Sequence, residues 1–224
     1  MFGDTGAGKT SVIKMLMDND QVATTKVASA GGSTFKSKAY KIDINGYHYM
    51  FHDTVGLDDG TSISPQEALK ALYQLVLKVE GGVNLLVYVH RGTIKPSQVE
   101  NYKTFTHSLK SMIPIALVVT GLEEEDSRDA WWQANKGLYE KQEIATEHFA
   151  CITSTKGRFN KRLQEFVYQD LYEESKTVLK SLFLEAPLLN PWKMASTQNG
   201  GRPSLVVEAY NIFANKFKHS GGGI

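Results

Sequence analysis

The sequence predicts an α/β fold: a mostly parallel, twisted sheet with one antiparallel edge hairpin, helices on both faces and a first strand that is largely missing. Three observations predict it. VNLLVYV from Val83 and IPIALVVT from Ile113 are continuous apolar runs, as strands covered on both faces require, and helical patterns separate them. Earlier, Tyr40, Ile42 and Ile44 alternate with polar residues, as do Tyr47, Tyr49 and Phe51, and Asn45-Gly46 lies between the two sets. That dipeptide suits a tight type I′ turn, so the segment reads as an antiparallel hairpin. Lastly, the chain opens on a glycine-rich run, GDTGAGKTS from Gly3 to Ser11, which leads straight into a helical pattern.

Taken in order, SVIKMLMDND reads as a short helix with Val12, Ile13, Met15 and Leu16 apolar. VATTKVASAGGSTF is small, polar and aperiodic, and is expected to be a mobile loop. After the hairpin, SPQEALKALYQLVLKV has a Ser cap, Pro at the first helical position, and Ala68, Leu69, Leu72, Leu75, Val76 and Val79 at helical spacing. PSQVENYKTFTHSLKSM is a helix between the two apolar strands. Residues 129–144 form a weaker helix, HFACIT a short strand, and residues 168–184 a further helix. Strands spaced by helices call for parallel pairing through right-handed crossovers. Residues 1–186 are expected to form this domain. Residues 187–224 form a C-terminal extension with a modest amphipathic helix near Leu205–Phe217 and a Ser-Gly-Gly-Gly run expected to be disordered.

The bulk numbers narrow the function classes. The 224 residues carry 25 basic and 24 acidic side chains, a formal charge of +1, which gives no electrostatic case for a nucleic-acid partner. A single cysteine, Cys151, excludes an internal disulfide framework and fits a reducing compartment. No apolar run approaches the roughly 20 residues of a membrane helix, and no secretory leader pattern opens the chain, so the expected location is cytoplasmic. Of the six histidines, His48, His52, His107, His148 and His219 show no metal-ligand spacing.

Gly3, Gly8, Lys9 and Thr10 satisfy G-x-x-x-x-G-K-[ST]. Glycines let backbone N–H groups of Asp4, Thr5, Gly6, Ala7 and Gly8 curl around phosphate oxygens without a Cβ in the way. Lys9 supplies a mobile charge for the β- and γ-phosphates, Thr10 a hydroxyl for Mg²⁺, and the helix beginning there through Ser11 aims its positive end at the anion. A second element, HDTVGLDDG, ends the hairpin. Asp53 lies where a strand carboxylate holds Mg²⁺ through water, and Gly56 where a backbone N–H meets the γ-phosphate.

GDTGAGKTS, a loop with Ser33-Thr34, the hairpin, DTVG, and later VVTGLEEED and ITSTKG resemble the ordered motifs of a P-loop GTPase domain. In detail they are most similar to the septin-like immunity-associated GTPases of plants and vertebrates and their fungal relatives, over about Gly3 to Leu184. The resemblance implies a guanine-nucleotide site for GTP/GDP and Mg²⁺. Thr34, nineteen residues before Asp53, would be the switch threonine that completes the metal shell, with Thr24 and Thr25 as alternatives. A homodimer or oligomer through the nucleotide face is one way the site could be completed.

Most GTPases read guanine with N-K-x-D. Here Thr120-Gly121-Leu122-Glu123 stands in that place, which fits the T-x-x-D/E of the immunity-associated group. Glu123 keeps the carboxylate, but the Lys that packs on the base is absent, and Glu124, Glu125 and Asp126 compete for the reading role. Thr153 to Lys156 resembles the last motif, with Ser154 and a backbone N–H near Thr155 facing the guanine oxygen. Trp131 and Trp132 follow the base loop, and the packing reading for them is one Trp beneath the helix and the other half exposed.

Hydrolysis needs an oriented water and stabilised charge on the transferring phosphoryl group. The usual water-orienting Gln position after D-x-x-G is Leu57, and no Arg precedes Arg91, so the switch loop has no arginine finger. Slow turnover is expected, with a second subunit as a source of the missing groups. His90 and Arg91 end a strand at the crevice, where Arg91 either acts across a dimer or pairs with an acidic neighbour. Two classes stay open: a slow GTPase with Lys9, Thr34 and Gly56 at the reacting phosphate, and a nucleotide-gated interaction module with negligible hydrolysis. An ATP-using enzyme is the third. The strand that should feed the cradle is reduced to Met1 and Phe2, so Met1 reads as an internal methionine of a longer domain or the start of a truncated product.

Overall fold

A computed structural model describes residues 1–17, 26–29, 36–54, 56–57, 65–107, 109–144 and 147–193. Their helices are α1 (Lys9–Leu16), α2 (Pro65–Lys78), α3 (Pro96–Thr106), α4 (Arg128–Lys141) and α5 (Gln169–Glu185). The strands are β1 (Lys26–Ser29), β2 (Lys36–Ile44), β3 (Tyr47–Asp53), β4 (Leu86–Arg91), β5 (Ile115–Thr120), β6 (His148–Cys151), β7 (Phe159–Asn160) and β8 (Glu165–Phe166). Ser64, Thr34, Thr24, Thr25 and the helix expected near Leu205–Phe217 lie outside the described residues.

The apolar runs become β4, β5 and β6, paired in parallel in that order. Every residue of β5 is buried, as continuous apolarity requires of a strand packed on both faces. Alternate side chains feed two cores. Leu86, Tyr88, Leu117 and Val119 pack with α2, α3 and α4, while Val87, Val89, Ala116 and Val118 pack with α1, α5 and the hairpin residues Tyr40, Ile42, Ile44 and Phe51. Helix starts follow local chemistry. Ser127 Oγ accepts from Ala130 N at 3.2 Å, and the Gln98 side chain accepts from Lys95 N at 2.8 Å.

The hairpin forms as its sequence dictates, Ile44 opposite Tyr47, with Asn45 and Gly46 both at positive φ (53° and 85°), the two-residue turn of type I′. The expectation of a loop over Val22–Phe35 is corrected in part, because Lys26–Ser29 forms β1 and pairs antiparallel with β2. The stretch is too short and polar to show a strand's alternation, and its pairing comes from the open edge of β2. The β7–β8 hairpin was also not read from the sequence, as two-residue strands carry no periodic signal.

Met1 and Phe2 join the two three-stranded sheets. Phe2 N donates to Val87 O and Val89 N to Phe2 O, both at 2.9 Å, a single parallel bridge to β4. On the other side the Met1 ammonium donates to His52 O at 2.7 Å, and Thr54 Oγ1 to Met1 O at 2.8 Å. The Phe2 ring is buried between Tyr88, Tyr102 and Phe105. Beside this one-residue bridge lies an apolar cavity of about 120 Å³ between β3 and β4, lined by Met1, Phe51, Leu72, Val76, Leu85 and Phe183 among others. After α5, the chain turns back, and Trp192 bridges Val83 through paired backbone bonds of 2.8 Å.

Candidate functional site

The C-terminal ends of β4, β5 and β6 converge on the loop between Phe2 and α1. Thr120, buried at the end of β5, donates from Oγ1 to Ala7 O at 2.7 Å, fastening the cradle to the strand end. A Cβ at Gly8 would lie 3.2 Å from Thr120 Cγ2 and 3.5 Å from Ser154 Oγ, so the cradle, Thr120 and Ser154 are in contact. The structure therefore brings three sequence-predicted motifs together. Thr153 N donates to Ser175 Oγ at 2.9 Å, which hangs the Ser154–Thr155 loop on α5. Nothing in the local pattern marks that role for Ser175, because a serine inside a helix reads as a solvated position.

Lys9, nearly buried, folds back so that Nζ donates to Gly3 O at 2.9 Å and Asp4 O at 2.8 Å. Burial pushes its ammonium pKa down, while the Asp53 and Asp4 carboxylates oppose that. Thr10 Oγ1 donates to Asp53 Oδ2 at 2.6 Å, and Asp53 Oδ1 is buried without a partner. Asp4 Oδ1 is likewise orphaned. Ser11 is half-buried at the helix start, and Thr5 and Gly6 are exposed at the cradle's tip. Gly56 lies against that tip: a Cβ there would fall 2.1 Å from Thr5 Oγ1 and 2.4 Å from Thr5 N, so only glycine fits. Leu57 N donates to Gly3 O at 3.2 Å, and the Leu57 side chain is buried in the core with Phe2.

The acidic run is sorted by its partners. Glu123 pairs with Arg91, Nη2 to Oε1 at 2.7 Å, and its Oε2 is buried without a partner. Glu124 accepts from the Tyr168 hydroxyl. Glu125 and Asp126 are exposed. Thr155 Oγ1 accepts from Gly157 N at 3.1 Å, closing the turn after Ser154. Trp132 is buried and stacks on Phe149 with ring centroids 4.2 Å apart, and Trp131 is half-buried, so the packing reading of this pair holds. Behind the site His90 is buried, its Nε2 2.9 Å from the Tyr139 hydroxyl, and burial pushes its pKa down to about 4.

Hydroxyl and carboxylate oxygens suit Mg²⁺, which takes one or two carboxylates and completes its shell with water and phosphate oxygens. Thr10 and the orphaned Oδ1 of Asp53 fit that demand. Among the described residues no group of three or more His, Cys, Asp or Glu could hold a metal without a ligand's help. No described helix is long and apolar enough to cross a membrane.

A G-x-x-x-x-G-K-T cradle fastened to a buried strand end, a D-x-x-G turn packed on its tip and a parallel sheet behind define a P-loop GTPase domain. The chain belongs to the family described as 50S ribosome-binding GTPase, whose model matches residues 1–121. It is 24% identical over 168 residues to GTPase Der of Campylobacter concisus (strain 13826), covering 75% of this chain and 34% of that protein. The chain thus spans about a third of the curated relative's length. Its fold is similar to the cytosolic domain of the T. maritima FeoB iron transporter in GDP form II (TM-score 0.50, 15% identity, 99% of this chain and 85% of that one). The GDP form I structure of the same domain matches alike (TM-score 0.50, 16% identity, 99% and 84%).

Proposed function

We propose that this domain binds GTP and GDP with Mg²⁺ and acts as a slow GTP-hydrolysing switch. The observation that carries the reading is the 2.6 Å bond between Thr10 and Asp53. It joins the cradle to the D-x-x-G strand at the one place where a metal beside the phosphates needs two oxygen donors.

In this reading the backbone N–H groups of Asp4 to Gly8 and the start of α1 hold the phosphates, and Lys9 adds its charge to the β- and γ-phosphates. Thr10 and Asp53, with Thr34, would hold Mg²⁺, which supplies charge neutralisation at the transferring phosphoryl group. Gly56 presents its backbone to the γ-phosphate, and its contact with Thr5 couples the turn after β3 to the cradle. Thr120, Glu123, Ser154 and Thr155 receive the base. The T-x-x-E loop and motif order support the finer likeness to septin-like immunity-associated GTPases. We divide the chain into the G domain, residues 1–186, and an extension, residues 187–224.

Slow turnover follows from what surrounds the reacting phosphate. Leu57 cannot orient a water, and its burial in the core removes it from the site altogether. No arginine precedes Arg91 in the chain. Catalysis therefore needs groups from elsewhere, and a second copy docked on the nucleotide face is the source we favour. Phosphate release measured against protein concentration tests this. A rate per molecule that climbs steeply with concentration supports assembly-stimulated hydrolysis. Tight guanine-nucleotide binding without release at any concentration leaves a gated interaction module in its place.

A further inference from the structure

We infer that Arg91, at the end of β4, is a base-binding residue: its side chain takes the space beside the purine that Gly121 leaves empty. The inference rests on the reading of Thr120–Glu123 as the base loop and deepens it. Arg91 lies directly opposite Thr120 in the parallel register, and Gly92 N donates to Thr120 O at 2.8 Å, fixing the two strand ends together. Gly121 has φ 76°, a conformation glycine favours. A Cβ built there would fall 2.5 Å from Arg91 Cγ, 2.9 Å from Nε and 3.2 Å from Cδ. The arginine stem therefore crosses the α-carbon of residue 121 and occupies the volume that any side chain at 121 would need.

The far end of the stem is equally constrained. The guanidinium bonds Glu123 Oε1 at 2.7 Å, and the two side chains differ sharply in exposure, 57% for Arg91 against 13% for Glu123. One end of the pair is sealed into the protein while the guanidinium presents an open face. Glu123 Oε2 is left buried without a hydrogen-bond partner. A buried, unpaired carboxylate oxygen is costly unless a donor reaches it. The N1–H and exocyclic amine of guanine are such donors.

A flat, weakly hydrated guanidinium stacks well on an aromatic plane. Arg91 thus contributes in two ways: it offers its face to the purine, and it holds Glu123 so that one oxygen points to the base edge. Stacking does not depend on the base substituents, whereas the Glu123 contact does. The two effects are separable by nucleotide.

The test measures the affinity of fluorescently labelled GDP, IDP and ADP for the whole chain and its variants, with urea midpoints alongside. Arg91→Ala is expected to weaken GDP by about tenfold or more, equivalent to about 1.4 kcal/mol, and IDP, which lacks the exocyclic amine, by less, with a fall in urea midpoint that accounts for only part of the loss. Arg91→Lys, which keeps charge without the plane, should recover only part of the loss. Arg91→Ala should still weaken IDP in a Glu123→Gln background. The proposal is overturned if Arg91→Ala binds GDP within twofold of the unaltered chain, or if its loss vanishes in the Glu123→Gln background. An equal fall in urea midpoint would also overturn it, by making the role structural. An unaltered chain that binds none of the three nucleotides overturns the site reading and this proposal with it.

Discussion

Phe2→Ala should cost this fold about 4 kcal/mol. The substitution keeps the backbone, so the bonds of residue 2 to Val87 and Val89 survive and only the ring is removed. That ring is 1% exposed, with centroids 4.7 Å from Phe105 and 5.1 Å from Tyr88. Core Phe→Ala changes cost about 3–5 kcal/mol, depending on how well the site collapses. Collapse is poor here, because Phe2 already borders the 120 Å³ cavity and the new void merges with it. At roughly 2 kcal/mol per molar urea, the unfolding midpoint should fall by about 2 M. Phe2→Leu, which refills most of the space, should lose less than half as much. A midpoint shift below about 0.5 M for Phe2→Ala would refute the claim that the Phe2 ring is a close-packed part of this core.

Three further outcomes follow from the same packing. His90 titrates near 4 when folded because burial opposes its charge, against about 6.5 when unfolded, so the unfolded chain binds more protons between those values. Its contribution is intact above pH 6.5 and is lost as pH falls toward 4, on the order of 3 kcal/mol in all. Urea unfolding across that window should show a steeper fall for the unaltered chain than for His90→Gln, and parallel curves would exclude the mechanism. Leu57→Gln places an amide at the usual water-orienting position but in an apolar core, so it should lower stability by about 2–3 kcal/mol without accelerating phosphate release. A tenfold faster release would show that residue 57 reaches the phosphate. Five apolar residues added ahead of Met1 should lengthen the Phe2 bridge between β3 and β4 and fill the cavity there with one of their side chains, raising the urea midpoint and GDP affinity together at about 25 cal/mol per Å² buried. Neither value moving would contradict the slot.

Most of the architecture was legible because it rests on local patterns. Unbroken apolarity marked β4 and β5, alternation with Asn45-Gly46 marked β2 and β3, and glycine spacing marked the cradle. β1 was hidden because Lys26–Ser29 has no pattern of its own and forms against an edge that only the folded hairpin offers. In the site, the motifs assign Thr10 and Asp53 to one metal but do not show that the two side chains touch. Arg91 was read as either a dimer contact or an ion-pair partner. Its pairing with Glu123, 32 residues away, depends on β4 and β5 ending in register, which periodicity does not encode. The partners that tell Glu123 and Glu124 apart from Glu125 and Asp126, Arg91 and Tyr168, are likewise tertiary and carry no signal in the spacing.

The central claim, that Gly3–Ser11, Asp53 and the Thr120–Glu123 loop form one guanine-nucleotide site, is tested most directly by competition for labelled GDP in the presence of Mg²⁺. Unlabelled GDP and GTP should displace the probe, and ADP and ATP should not at hundredfold higher concentration. Displacement by adenine and guanine nucleotides with equal potency would contradict the account.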